Sequence, residues 1–475
     1  MIFPVLSGVL LSLSTPGLPF GMLVWFSLIP LIHFLRSSRP LKGALGGFLF
    51  FATAIGLSHL WVLDTITRNF PKFAGFTPFQ GFLVYLLFVA FEASFYALFG
   101  FLGSLLSSAN PYFLYPSLYV LVEILRGYGD LGFTGGRISD PLFSEPHLVV
   151  LSSIFGDLGL SFLVVLVNVF LWRVLIKRDF KVAVLVILLI YLPQHVLTPL
   201  AKFPPQEDWF EFYVYQTSEE AEDKYKASIS ERLDSLPRVD GLLITPEAYV
   251  VSYMDPSGAP KDVILGALVS EDGRRYNSAI LNDQRYDKVK LFPFVEFLPY
   301  PKIFSFLKFL KGFAYFSKGG GYKPLDYEGR KIGVLICFES YFEEGAVEYS
   351  RSADLIVAMT NDVWFRYDTA LWNHFAKSVF RAAESGRWVV QVANKGITGV
   401  VDGWGRIRTI LPIGKEAVKK IGVGRPHPTL YPIIRKYLLW IPIALILISI
   451  LQALRAPRSP YSRSYPSDHR SVWRI

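Results

Sequence analysis

A series of long apolar runs constrains this chain more than any other feature. A helix needs roughly 20 consecutive, mostly apolar residues to cross the hydrocarbon of a bilayer. Residues 20–35, 43–63, 80–106, 148–172 and 437–454 are read as such stretches, and shorter ones lie at 3–14, 112–126 and 182–197. No water reaches backbone groups in hydrocarbon, so each stretch is expected to satisfy itself as a helix. The first, from Ile2 to Leu13, has the length of a signal peptide. It lacks a basic leading segment and an Ala-x-Ala-like end, which predicts a membrane helix or half-helix instead.

Charge is distributed to match. Of the 475 residues, 52% are hydrophobic and the formal net charge is +9. Residues 1–200 carry a net +3, residues 201–430 a net of zero and residues 431–475 a net +6. The excess sits beside apolar runs, so no nucleic-acid partner is expected. Arg36, Arg39 and Lys42 follow the second run, and Arg173, Lys177, Arg178 and Lys181 follow the sixth. Arg455, Arg458, Arg463, Arg470 and Arg474 follow the last. Basic loops stay on the cytoplasmic side. About eight spans with the amino terminus inside satisfy all three clusters and place 201–430 outside. The expected division is a bundle over 1–200, a catalytic domain over 201–430, a final helix over 431–456 and a basic cytoplasmic tail over 457–475.

Ionisable residues inside apolar runs are functional candidates. Glu123 and Arg126 share a helix face by spacing and can pair, as a functional site or as a buried structural pair. Glu92, Asp157 and His59 are read as structural.

The neutral middle alternates apolar runs with amphipathic stretches, the pattern of α/β units. Strands are predicted at 210–216, 241–245, 263–269, 277–281, 332–337, 354–359 and 388–393. Helices are predicted at 219–236, 343–352 and 371–385. The Phe/Lys-rich stretch 301–316 reads either as an amphipathic lid on the bilayer or as a surface helix.

The single cysteine, Cys337, excludes an intramolecular disulfide framework and any multi-cysteine metal site. It follows the strand-like Gly333-Val334-Leu335-Ile336 and precedes a helix. A thiol on such a turn stands at the rim of a sheet, near a helix N-terminus that favours thiolate. Glu247 ends another apolar segment and Lys288 precedes an apolar turn. A carboxylate to take a proton, a thiol to attack and an ammonium to steady an oxyanion make an acyl-transfer set. Spacing alone leaves their convergence open.

The segments around Glu247, Lys288 and Cys337 resemble the nitrilase superfamily, and most closely its apolipoprotein N-acyltransferase branch. Tyr276-Asn277-Ser278-Ala279, Thr360-Asn361-Asp362-Val363-Trp364-Phe365, Trp372-Asn373-His374-Phe375, Arg381-Ala382-Ala383-Glu384 and Asn394-Lys395-Gly396 carry that resemblance. So do Glu123-Ile124-Leu125-Arg126-Gly127 and Gly132-Phe133 upstream. The resemblance implies a nitrilase-like α-β-β-α sandwich inserted between the helices of an all-α transmembrane bundle. It implies Cys337 as nucleophile, Glu247 as general base and Lys288 as stabiliser of the tetrahedral intermediate. Glu296 matches the family's second glutamate, which supports the lysine and base, Glu339 matches an acidic residue just after the nucleophile, and Phe338, Asn361 and Trp364 match substrate-side positions. Lys288 is chosen over Lys290 because it keeps the spacing to Glu296. Phe338 stands where the family commonly has Tyr, and Val295 where it commonly has Gly.

The implied reaction moves an acyl chain from a phospholipid, through a thioester, to the amino-terminal amine of a diacylglyceryl apolipoprotein. It needs no metal or cofactor. The implied location is a bacterial inner membrane, with the catalytic domain on the periplasmic side. A membrane-tethered amidase with water as acceptor would use the same three residues. A transporter or scaffold would use none of them.

Overall fold

The computed structural model describes all residues except 76, 180, 182–183, 185–208, 221–222, 224–225, 305–314 and 456–475. The run expected at 182–197, the middle of the stretch 301–316 and the basic tail lie almost wholly outside the described residues.

The first half is helical: α1 (Ile2–Leu13), α2 (Ile29–Leu35), α3 (Pro40–Ser58), α4 (Leu60–Ala74), α5 (Pro78–Leu105), α6 (Pro111–Arg126), the short α7 (Pro146–Val149) and α8 (Ser152–Lys177). Pro78 at the first turn and a reciprocal Thr77–Gln80 cap set the start of α5. Inside the bundle Tyr96 stacks on Phe51 at 3.8 Å. Outward, Leu41, Phe79 and Leu87 are exposed, a surface that lipid covers more cheaply than water. Among the described residues, Pro40–Ser58, Pro78–Leu105, Ser152–Lys177 and Tyr431–Gln452 are long and apolar enough to cross a membrane.

Two expectations change. Residues 20–35 are not one helix: a 3-10 turn, Gly21–Trp25, precedes the seven-residue α2. Pro30 cannot donate to a continuous ladder. Glu123 and Arg126 share a face of α6 yet do not bond each other. Glu123 Oε1 accepts the Ile138 amide at 3.2 Å. Arg126 lies 3.4 Å from Glu92 and donates to the carbonyls of Phe133 and Gly135.

The second half holds two mixed sheets. In chain order its elements are β1 (Phe210–Gln216), α9 (Ile229–Asp234), β2 (Leu243–Ile244), β3 (Val250–Met254), β4 (Val263–Glu271), β5 (Arg274–Leu281), β6 (Gln284–Asp287), α10 (Pro301–Phe304), β7 (Leu325–Tyr327) and β8 (Arg330–Ile336). They continue with α11 (Glu343–Ser352), β9 (Leu355–Asn361), α12 (Asp368–Ser385), β10 (Trp388–Asn394), β11 (Gly399–Val401), β12 (Ile407–Ile410), β13 (Ala417–Val423), α13 (Tyr431–Leu438) and α14 (Trp440–Arg455). One sheet runs β13-β1-β2-β4-β5-β6, with β3 on β4; the other runs β12-β11-β10-β9-β8-β7. The trio β8, β9 and β10 is parallel. Phe212, Val214 and Ile264 meet Val334, Val357 and Val390 between the sheets. Within the helix expected over 219–236, α9 starts at Ile229, set by the Ser228–Glu231 capping box, and stops at Asp234.

Helix α12 joins the halves. Its apolar residues Phe375, Val379 and Ala383 belong to one buried cluster with Leu335 and Ile356 of the sheet and Leu160 and Val164 of α8. His374, Lys377, Arg381 and Glu384 recur at helical spacing along it, and all are buried. Each has a partner. Lys377 meets Asp140 at 2.6 Å, Arg381 meets Asp157 at 3.1 Å, and Glu384 accepts the Asp157 amide at 2.9 Å.

Candidate active site

Three loops at the ends of the sheets bring the predicted acidic and basic groups together. Glu247 follows β2 through Thr245-Pro246. That turn lies against β4 at Gly266, where a Cβ would fall 2.0 Å from the Pro246 carbonyl oxygen. Glycine is therefore required for the carboxylate to sit where it does. Ala248, the next residue, has φ +47°, a costly left-handed conformation that a packed site can hold. Lys288 comes just after β6 and is buried. Its Nζ donates to Glu296 Oε1 at 2.9 Å and to Glu247 Oε1 at 3.4 Å. Asn277, on β5, donates to the same two oxygens at 2.8 Å (Glu247) and 3.3 Å (Glu296). Glu296 is held from behind by the Phe292 amide at 2.7 Å.

Cys337 begins the 3-10 turn after β8 with φ +51°. The strand-to-turn position expected for it is the one observed. Its carbonyl oxygen accepts from Ser340 Oγ at 2.9 Å and lies 3.2 Å from His374 Nε2. The thiol lies within electrostatic reach of both Glu247 and Lys288. Burial pushes it well above the usual thiol range; Glu247 adds to this and the Lys288 ammonium opposes it. Burial also works against the charge on Lys288, but Glu296 and Glu247 outweigh it and hold the ammonium above its usual range. At rest the thiol is held neutral by burial, with the Lys288 ammonium pulling the other way.

Glu339 does not reach Lys288's ammonium. Its carboxylate accepts the Val289 amide at 2.6 Å, the Lys290 amide at 3.0 Å, the Ile336 amide at 2.7 Å and the Tyr286 hydroxyl at 2.9 Å. It ties the turn bearing Cys337 to the segment bearing Lys288. Lys290 points elsewhere, to the Gly129 carbonyl at 3.1 Å.

The three substrate-side positions differ. Phe338 is buried between Phe292, 4.7 Å away, and Phe133 of the loop after α6, 6.5 Å away. Asn361 Oδ1 accepts from Asn394 Nδ2 at 3.0 Å, a bond between strand ends. The Trp364 carbonyl accepts from Arg68 at 2.8 Å and Thr65 at 3.2 Å, both on α4.

Sequence reasoning assigned no role to Asn277, Tyr286, Thr134, Asp362 or His374. Asn277, Asp362 and His374 lie inside the motifs that carry the resemblance, which was the available signal. Thr134 gave none: its hydroxyl bonds the Tyr341 carbonyl, 207 residues away.

Residues 7–170 match the family described as the apolipoprotein N-acyltransferase N-terminal domain, and residues 215–419 match carbon-nitrogen hydrolase. An apolipoprotein N-acyltransferase of Thermotoga maritima is 36% identical over 96% of this chain and 94% of its own. One of Geobacter metallireducens is 29% identical over 87% of each chain. One of Methylococcus capsulatus is 26% identical over 87% of this chain and 88% of its own. With its carbon-nitrogen hydrolase domain and its apolar helices, this membrane protein belongs to the apolipoprotein N-acyltransferase family.

Proposed function

We propose that this acyltransferase N-acylates lipoproteins through a thioester on Cys337. In the first step Glu247 takes the thiol proton. The sulfur attacks the sn-1 ester carbonyl of a phospholipid, and the negative charge that develops on oxygen faces the Lys288 ammonium. The C–O bond breaks, Glu247 returns the proton to the departing alkoxide, and a lysophospholipid leaves. In the second step the α-amine of a diacylglyceryl-cysteine attacks the thioester. Glu247 accepts a proton from the amine, the C–S bond breaks and the thiol is restored. The product is an N-acylated lipoprotein.

One observation carries this reading: the Lys288 ammonium is set between Glu247 and Glu296, and its charge acts on the Cys337 thiol. Glu296 then serves to hold the lysine, and Glu339 to hold the nucleophile's turn. The aromatic set Phe133, Phe338 and Phe292 supports entry of an acyl chain from the bundle side.

We read the chain as a bundle over 1–200, a catalytic domain over 201–430, a final helix over 431–456 and a basic tail beyond. The two family matches, 7–170 and 215–419, fall within the first two of these divisions. Eight spans with an inner-membrane location and a periplasmic catalytic domain fit the basic clusters.

The decisive experiment is intact mass after mixing purified protein with phospholipid. An added acyl mass that is absent in Cys337→Ala and is discharged by a diacyl lipopeptide is expected. Release of the acyl chain only as free fatty acid, with the lipopeptide present, would favour the water-accepting alternative.

A further inference from the structure

His374 lies outside the chemistry proposed above, yet it touches the residue that chemistry depends on. Its Nδ1 is 2.8 Å from Asp362 Oδ1 and its Nε2 is 3.2 Å from the Cys337 carbonyl oxygen. Both partners are acceptors, so both ring nitrogens must carry a proton for both bonds to form. A neutral imidazole has only one N–H. Asp362 is itself braced by Thr360 Oγ1 at 3.2 Å. It is also packed against Gly396, where a Cβ would fall 2.0 Å from Asp362 Oδ2. The ring and the carboxylate are both buried.

We infer that His374 is a positioning residue held as an imidazolium, whose charge and Nε2–H bond keep Cys337 in its left-handed backbone conformation and favour its thiolate. The inference rests on Cys337 being the nucleophile. A left-handed non-glycine residue costs energy unless its surroundings hold it. Here the hold is applied to the carbonyl, by His374 from α12 and by Ser340 from within the turn.

The groups facing the ring agree. Asp362 comes from the turn after β9, Glu247 from the loop after β2, and Cys337 and Tyr341 from the nucleophile turn. Lys377, one turn along α12, is neutralised against Asp140. Burial opposes protonation of the ring, but Asp362 outweighs it and raises His374 above the ordinary histidine value. The sign follows. The imidazolium is present at low pH and is lost as pH rises through that raised value, so removing the Asp362 charge brings the loss to lower pH.

Cys337 is the chain's only cysteine, so iodoacetamide reads its reactivity alone, without lipid. Asp362→Asn keeps an acceptor for Nδ1 but removes the charge. His374→Gln keeps a donor for the Cys337 carbonyl but not the charge. Both are expected to slow alkylation at neutral pH by about tenfold, the effect of one unit in thiol pKa. The pH midpoint of alkylation should move up. In phospholipid turnover kcat should fall with KM unchanged, and His374→Ala should fall further than His374→Gln. If one variant fails to fold, the other decides. Wild-type alkylation rates and midpoints in a folded variant would overturn the inference. Failure of the unaltered protein to form an acyl-enzyme would instead overturn the choice of nucleophile.

Discussion

The hydroxyl of Thr134, in the loop after α6, donates at 2.6 Å to the carbonyl of Tyr341, the last residue of the turn that begins with Cys337. Arg381 donates to the same oxygen at 3.2 Å. The loop after α6 thus holds the turn that begins with Cys337 directly. Thr134→Val removes one donor and leaves the other, a loss of about 1 kcal/mol. The rate of acyl-mass appearance should fall about fivefold, and Thr134→Ser should restore it. An unchanged rate in the valine variant would show that the bond does not bear on the turn.

Lys288 is paired with two carboxylates, Glu296 at 2.9 Å and Glu247 at 3.4 Å. In Lys288→Met the oxyanion loses its cation, and acyl-enzyme formation should fall on the order of 10²- to 10³-fold. Rapid-quench mass spectrometry of the first turnover measures this step alone. A loss confined to the second step would reassign the lysine.

Asp157 bridges Arg137 at 2.5 Å and Arg381 at 3.1 Å, in the buried seam between α8 and α12. Asp157→Asn leaves two buried guanidiniums undercompensated, at a cost of about 3–5 kcal/mol. Thermal unfolding in detergent should show a lower midpoint, and protease should cut the seam earlier. A midpoint equal to that of the unaltered protein would mean that the seam contributes nothing to docking.

Burial pushes Glu339 from 4.5 up to about 7, against the pull of the Ile336 and Lys290 amides. A raised carboxyl binds its proton more tightly when folded. Its contribution therefore weakens as pH rises from 4.5 through about 7, by about 3 kcal/mol in all. Glu339→Gln cannot titrate, so the difference in unfolding midpoint between it and the unaltered protein should vary over that window. A constant difference would contradict the raised value.

Gly266 carries no reacting group, but a Cβ there would meet the Pro246 carbonyl oxygen and the Ala248 amide. Gly266→Ala should displace Glu247 and lower kcat at least about tenfold with lipid binding retained, since misplacing a reacting group by about 1 Å is enough for larger losses. Normal turnover would show that the turn can yield without moving the carboxylate.

The central strands were legible because they are buried on both faces. The runs around Val334, Val357 and Val390 are continuous apolar segments of strand length. Helix α11 spans Glu343–Ser352, as its amphipathic pattern predicts. The short strands β3, β6, β7, β11 and β12, and the seven-residue edge strand β13, were not legible. Their pairing with a neighbour, rather than their composition, makes them strands. At the site, the resemblance pointed to Glu247, Lys288, Glu296, Cys337 and Glu339. Nothing local distinguished Glu296, which bonds the lysine, from Glu339, which bonds amides.

The sequence by itself determined that the chain has membrane-length apolar helices flanking a neutral α/β segment, and that its one thiol stands after a buried strand. Those are properties of short windows, because transfer from water depends on the apolar area of each segment. Only the tertiary structure decided that Arg126 turns to Glu92 instead of Glu123, and that one carboxylate braces a turn while two hold a lysine. It alone decided that His374 bonds two acceptors at once. Hydrogen bonds and ion pairs act over about 3 Å, and which groups come that close depends on how distant segments pack.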